Sequence, residues 1–479
     1  MSTEAAFLAL PSQPRGRSLA FGGTFVLLAG LTACVAFIPH MGFIALSAIY
    51  LGAFLAYMGL RSDPQGGHLF EVIIPVSVLT FLGFCVGTMY LVMVPEALSY
   101  HALAPFLLPA QALATLGFLC FLVGYGWFFR MTAPSPLGRF VPKSVLVYLL
   151  PAAVGALGMS VPKFQTGGVL GGLDISAALS FVQQFGSVFF FGWFLAWYMM
   201  WAKRLRPSVA LPLLATLSAM AALVLFSTFG GKGLALMLLG MPALAYYEVK
   251  RKVPVKSVFV VGLIFVFIIV PTYNAFRHVD HNLDTARRVD RAVDSARSWG
   301  SDAYLDASVF AFLKRIAVVT SIAAIVSDTG RWVDYRYGGT LILAPIGLFI
   351  PRVLWPDKPN ISIGREFGET FRLRGALDYE TYIAPTMVGE FYWNFSVPGV
   401  VVGMWCLGMG YRWYYQRYGA GAGFAPIRKS IYFTLLPSAL SFEGNVAIIV
   451  GGVIKVLVVL VVVLHLSRRL GLIEDISDI

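Results

Sequence analysis

Charge is what this 479-residue chain has least of: Asp, Glu, Lys and Arg make up 13% of it, against about a quarter in ordinary soluble domains. So little charge excludes a solvent-covered set of soluble domains. Cysteine is scarce too. Cys34, Cys85, Cys120 and Cys406 lie inside apolar stretches, without the spacing of a disulfide framework or a zinc site, and read as small buried hydrophobes. No HExxH, DxD, phosphate-binding glycine loop or GxSxG elbow appears in a fitting context, so neither a metal nor a cofactor is expected. What is abundant is apolar: 58% of residues are hydrophobic and mean hydropathy is +0.77. The class indicated is an all-α polytopic membrane protein. A net charge of +12 would suit nucleic acid, but the basic residues cluster just outside apolar runs, the mark of cytoplasmic loops, and no nucleic-acid partner is expected.

A helix rising 1.5 Å per residue needs roughly 20 apolar residues to cross about 30 Å of hydrocarbon. Such runs fall near 18–38, 42–60, 69–94, 102–129, 144–161, 176–201, 207–228, 233–248 and 257–275. The N-terminus carries Glu4, two prolines and Arg15 and Arg17 before its first apolar run, unlike a cleavable signal, so an uncleaved first span is expected. With that end inside, every second exit meets a basic loop: Arg61; Arg130, Arg139 and Lys143; Lys203, Arg204 and Arg206; Lys250, Arg251, Lys252 and Lys256. Late runs at 395–411 and 446–466 lead to Arg412, Arg417, Arg428 and Lys429, and to Arg468 and Arg469. Both termini are therefore expected in the cytoplasm, with spans in 1–275 and 395–479 flanking an external region, 276–394. Apolar stretches at 309–327 and 340–350 would raise twelve spans to fourteen if they cross. Lys314 and Arg315 in the first, and the shortness of the second, keep interfacial or re-entrant helices open.

The external region holds fourteen basic residues, twelve of them arginine, against fourteen acids between positions 277 and 390. Balanced charge gives no net field, so an anion site there must come from local arrangement. Arginine over lysine suits phosphate or carboxylate, whose oxygens a guanidinium fork matches. In the first island, 277–298, acid–base spacings of three and four describe a solvated amphipathic helix. Arg277 and His278 stand apart at the end of a span and are the functional candidates. His278 and His281 have H-x-x-H spacing, but no third ligand is near in sequence, so the metal reading is weak.

The second island, 351–394, carries Arg352, Trp355, Lys358, Arg365, Arg372 and Arg374. Ile363, Phe367 and Phe371 repeat every four residues, predicting a short helix with that stripe buried; an ordinary loop with ion pairs is the plainer alternative. Phe391, Tyr392 and Trp393 suit an interfacial aromatic belt. Glu390 is the general-base candidate, because a carboxylate at the hydrocarbon border is costly unless paired or used. Glu443 is a similar oddity, with a salt bridge the plainer account of either. His278 competes as base, titrating near neutral pH without a shift.

Pro-Arg-x-x-Trp-Pro-x-Lys-Pro at 351–359, Gly364-Arg365-x-Phe367-Gly368, and Gly389-Glu390-x-Tyr392-x-Asn394-Phe395 leading through Gly399 into a glycine-rich span resemble the Wzy-type oligosaccharide repeat-unit polymerases, which share a superfamily with the O-antigen ligases. The likeness covers roughly 340–410. It implies a metal-independent, inverting glycosyltransferase of the bacterial inner membrane, acting at the periplasmic face on undecaprenyl-diphosphate-linked repeat units, with a chain-length regulator as a family expectation. Under it, Arg352, Arg365 and Arg277 would hold the diphosphate, seconded by Arg372, Arg374 and Lys358, with Trp355 beside them. Glu390 would activate the acceptor hydroxyl, and Tyr392 and Asn394 would orient sugar. A ligase of the same superfamily, or a flippase for an anionic lipid, are the alternatives.

Overall fold

The computed structural model describes residues 41–60, 69–98, 100–127, 140–166, 185–227, 232–264, 316–343, 363–374, 382–421 and 423–475, with single positions 28, 30, 32, 138, 313, 350 and 355. The described residues are mostly helical. In order come α1 (Gly42–Leu60), α2 (Ile73–Phe81), α3 (Gly87–Met93), α4 (Leu107–Trp127), α5 (Leu146–Thr166), α6 (Phe189–Trp201), α7 (Pro207–Ser227), α8 (Lys232–Lys250) and α9 (Val255–Ile264). After them come α10 (Val319–Asp328), α11 (Gly364–Thr370), α12 (Met387–Tyr414), α13 (Pro426–Leu440) and α14 (Val446–Arg469). One short antiparallel pair, β1 (Phe140–Pro142) with β2 (Ile473–Asp475), ties the segment before α5 to the chain after α14. A π turn, Leu82–Val86, joins α2 to α3.

Five described stretches are long and apolar enough to cross a membrane: Gly42–Gly59, Ile73–Met93, His101–Gly126, Pro207–Leu225 and Val446–Arg469. Their outward faces carry bare aliphatics such as Leu55, Leu211 and Val458, which water would penalise and lipid would not.

Between helices in lipid, close packing replaces the hydrophobic effect, so small residues mark the contacts. Along the α4–α12 seam, a Cβ on Gly124 would come 2.1 Å from the Trp405 carbonyl oxygen, and one on Gly408 would come 2.2 Å from that of Phe121. Neither position has room for a side chain. Polar backbone is satisfied within the bundle as well. Pro242 lacks the N–H that would serve the carbonyl four residues earlier, and the Trp193 indole donates to that Leu238 oxygen at 3.0 Å.

Ion pairs collect at one end of the bundle. There Arg412 meets the fully buried Glu71 at 3.1 Å, with the Tyr125 hydroxyl donating to the same oxygen at 2.8 Å. Lys429 lies 3.2 Å from Glu248, and Lys143 lies 3.5 Å from Glu474 across the β pair.

The helix that carries the run 395–411, α12, begins ahead of it, at Met387, and is broken. Phe395 (φ −142°, ψ 23°) and Ser396 (φ 55°, ψ −151°) leave the helical region, followed by Pro398. The first two turns fold back on the rest, with the Phe391 ring lying where a Cβ on Gly403 would stand, 2.3 Å away.

Candidate functional site

At the end opposite Arg412 and Glu71, α12 opens with Thr386, held at φ 65°, whose hydroxyl accepts from the Gly389 N–H at 3.1 Å. That cap fixes the first turn, and residues one turn apart share a face. Glu390 and Asn394 occupy it, and both are fully buried. Asn394 accepts from the Gly338 N–H at 2.8 Å and donates from Nδ2 to the Thr340 hydroxyl at 2.7 Å and the Glu390 carbonyl at 2.8 Å. It was expected to orient sugar. Its donors and acceptor are instead spent on holding 338–340 against α12, so it is a positioning residue.

Glu390 Oε2 accepts from the Val446 N–H at 2.5 Å, capping α14, whose own N-cap Asn445 makes no side-chain cap. Oε1 has no hydrogen-bond partner among the described residues. Burial pushes this carboxyl up from 4.5 to about 7, against the pull of the Val446 N–H. A carboxyl in this state holds and releases a proton near neutrality. Tyr392, half-buried, sets its hydroxyl among Tyr335 and Ser396.

The short helix expected around Ile363, Phe367 and Phe371 is α11, with that stripe buried. Phe367 and Phe371 pack on Trp393 with ring centres 5.9 and 5.2 Å away. On the exposed side Arg365 pairs with Glu369 at 3.7 Å. Arg372 ends the helix at φ 54°, exposed to solvent. Arg374 differs from both: its side chain is 3% exposed and pairs with Glu369 through Nη2, while Nε and Nη1 are buried without a hydrogen-bond partner among the described residues. Unspent donors on a buried guanidinium are costly and are where an anion would be taken up.

The sequence reading passed over Arg336 and Thr340. Arg336 stands 4.8 Å over the Trp393 ring, pairs with Glu366, and donates its own N–H to the Trp393 carbonyl at 3.1 Å. Its signal was present as an arginine between two tyrosines before Gly338-Gly339. These contacts, with Arg331 over the Phe106 ring at 5.7 Å, set 328–338 at the same end of the bundle as α11 and the start of α12. Trp332 and Tyr337 project from that loop, 85% and 75% exposed.

Trp355 is half-buried. Arg277, His278, Arg352 and Lys358 lie outside the described residues, as does His281. The residues brought together are therefore Glu390 with Asn394 and Thr340, and Arg374 with Arg365 around Glu369.

A bundle with several helices long and apolar enough to cross a membrane defines a helical multi-pass membrane protein. The chain belongs to the family described as a domain of unknown function (DUF8712), matched over residues 110–466. No curated protein and no solved structure matches it. The matched span runs from α4 into α14 and so includes both Glu390 and Arg374.

Proposed function

We propose that this protein is a membrane glycosyltransferase of the Wzy type, extending a polysaccharide by moving a glycan from undecaprenyl diphosphate to the next lipid-linked repeat unit at the periplasmic face of the bacterial inner membrane. The observation that carries the reading is Arg374, a buried guanidinium whose Nε and Nη1 find no partner among the described residues, in the same polar block as the 351–394 motifs. In the reaction, the acceptor hydroxyl oxygen attacks the anomeric carbon, the bond to the diphosphate oxygen breaks, and the diphosphate leaves with the electron pair. The guanidiniums of Arg374, Arg365, Arg352 and Arg277, with Lys358 and Arg372 behind them, stabilise the charge that gathers on the leaving group. Glu390 receives the acceptor's proton, a task suited to a carboxyl near neutrality. Tyr392 and Trp355 would contact the sugars.

The test is elongation by purified protein on lipid-linked repeat units. A product ladder with release of undecaprenyl diphosphate is expected, lost in Arg374→Ala, Arg352→Ala and Arg365→Ala variants that retain the wild-type melting temperature. Wild-type ladders in all three would remove the site. A single capped transfer would instead assign a ligase. The break in α12 favours one competing reading, because carriers build their sites at interrupted membrane helices; lipid movement across the bilayer without diphosphate release would establish it.

A further inference from the structure

α13 begins with its charges the wrong way round. Its first turns carry Arg428 and Lys429 and no acid, although the N-terminal end of a helix is the positive end of its dipole. Ala425 gives no side-chain cap, and the Lys429 N–H reaches the Ala425 carbonyl at 2.9 Å to open the helical ladder. The N–H groups of Ile427 and Arg428 stand ahead of that ladder, the arrangement that takes up anions at helix starts.

A second observation points the same way. Arg428 is 7% exposed, and its Nε is buried without a hydrogen-bond partner among the described residues. The guanidinium lies along the loop that leads into α13: Nη2 is 3.0 Å from where a Cβ on Gly421, at φ 94°, would stand, and Nε is 3.4 Å from one on Gly138. Arginine keeps its charge when buried, and a buried charge without an opposite partner is costly. Glu248 faces Arg428 but pairs with Lys429 at 3.2 Å and Arg251 at 3.6 Å, one carboxylate among three cations. No Asp or Glu occurs in 128–145, 202–207 or 415–430, and Glu474, brought alongside by β2, pairs with Lys143 at 3.5 Å. Beside the same loop, the exposed Arg204 stands 5.4 Å over the Phe424 ring.

We propose that Arg428, the turn at Gly421 and the first turn of α13 hold a phosphate group, from free phosphate or from an anionic lipid headgroup, at the end of the bundle that the charge pattern puts in the cytoplasm. A guanidinium fork beside open N–H groups fits phosphate oxygens, and a cluster with more cations than carboxylates suits a doubly charged group. The site is separate from the Arg374 block and does not rest on the glycosyltransferase reading.

The test uses the full-length protein in phosphatidylcholine nanodiscs. Inorganic phosphate replaces chloride at constant ionic strength in one series, and phosphatidic acid enters the bilayer in another. A rise in melting temperature is expected; the first series assigns free phosphate and the second a lipid headgroup. In whichever series binds, wild-type protein is expected to gain hydrogen-exchange protection over 419–430. Arg428→Gln is expected to weaken binding roughly tenfold, the loss of a charge-assisted hydrogen bond, whereas Lys256→Gln, which removes an exposed cation on α9, leaves it within about twofold. No response in either series, or no protection over 419–430, would overturn the proposal. Equal weakening in the two variants, the behaviour of a diffuse basic surface, would overturn it as well.

Discussion

Glu390 shows how a single side chain acquires two duties at once. One carboxylate oxygen closes the start of α14 and the other is buried without a hydrogen-bond partner among the described residues. Because its pKa is raised from 4.5 to about 7, the folded protein holds this proton where the unfolded chain has released it. Stability from this group is then complete below pH 4.5 and is lost as pH climbs through about 7. The melting temperature in nanodiscs is expected to fall across that window, and Glu390→Gln, which stays neutral, is expected to flatten the slope. Parallel slopes for the two proteins would refute the assignment. The anomaly of Glu390 was legible in sequence, since a carboxylate beside an apolar run calls for an explanation. Its partner was not, because Val446 lies 56 positions away and a backbone N–H has no signature in sequence. Arg374 is the reverse case. It looked like one of several loop arginines, and only its burial separates it from the exposed Arg365 and Arg372.

Helices follow from hydrophobic runs, so most were placed closely: the expected 42–60 and 207–228 are Gly42–Leu60 and Pro207–Ser227. The exceptions are instructive. α12 starts ahead of the expected 395–411 because its first two turns are buried by protein, and polar residues such as Glu390 and Asn394 are admissible there. A hydropathy window sees lipid-facing segments and misses these. The backbone break at Phe395 and Ser396 likewise has only Pro398 as a sequence signal. Packing between elements gives a direct test at the α4–α12 seam. Gly124→Leu is expected to cost about 1–3 kcal/mol of stability, since the Cβ alone would meet the Trp405 oxygen at 2.1 Å. Gly410→Ala on the same helix pair's open side is expected to melt as wild type; a reversed ranking in thermal melts would contradict the seam.

At the scale of the whole molecule, contacts sort by helix end. Glu71 with Arg412, Glu248 with Lys429 and Glu474 with Lys143 pair at one end, and the charge pattern had put the three basic partners on the cytoplasmic side. Glu390 with Val446, and Arg336 with Glu366, pair at the other; Glu366 and Glu390 come from the block expected outside, Val446 opens the last apolar run, and the side of Arg336 depends on whether 309–327 and 340–350 cross. Cysteines introduced singly at Trp332, Tyr382 and Arg469 in a cysteine-free background test this by reaction with a membrane-impermeant maleimide on intact spheroplasts. Positions 332 and 382 are expected to label from the outside and 469 only after permeabilisation. Labelling of 332 from the inside would establish 309–327 and 340–350 as a crossing pair.

The sequence by itself determined the class, the approximate course of most helices, and which charged segments depart from the lipid-facing pattern, because those properties follow from local composition and from the cost of polar groups in hydrocarbon. Only the tertiary structure decided which arginines are buried with donors that find no partner among the described residues, and which carboxyl caps a distant helix. Each of these depends on what a remote part of the chain presses against the residue, and burial of that kind is a property of the packed molecule.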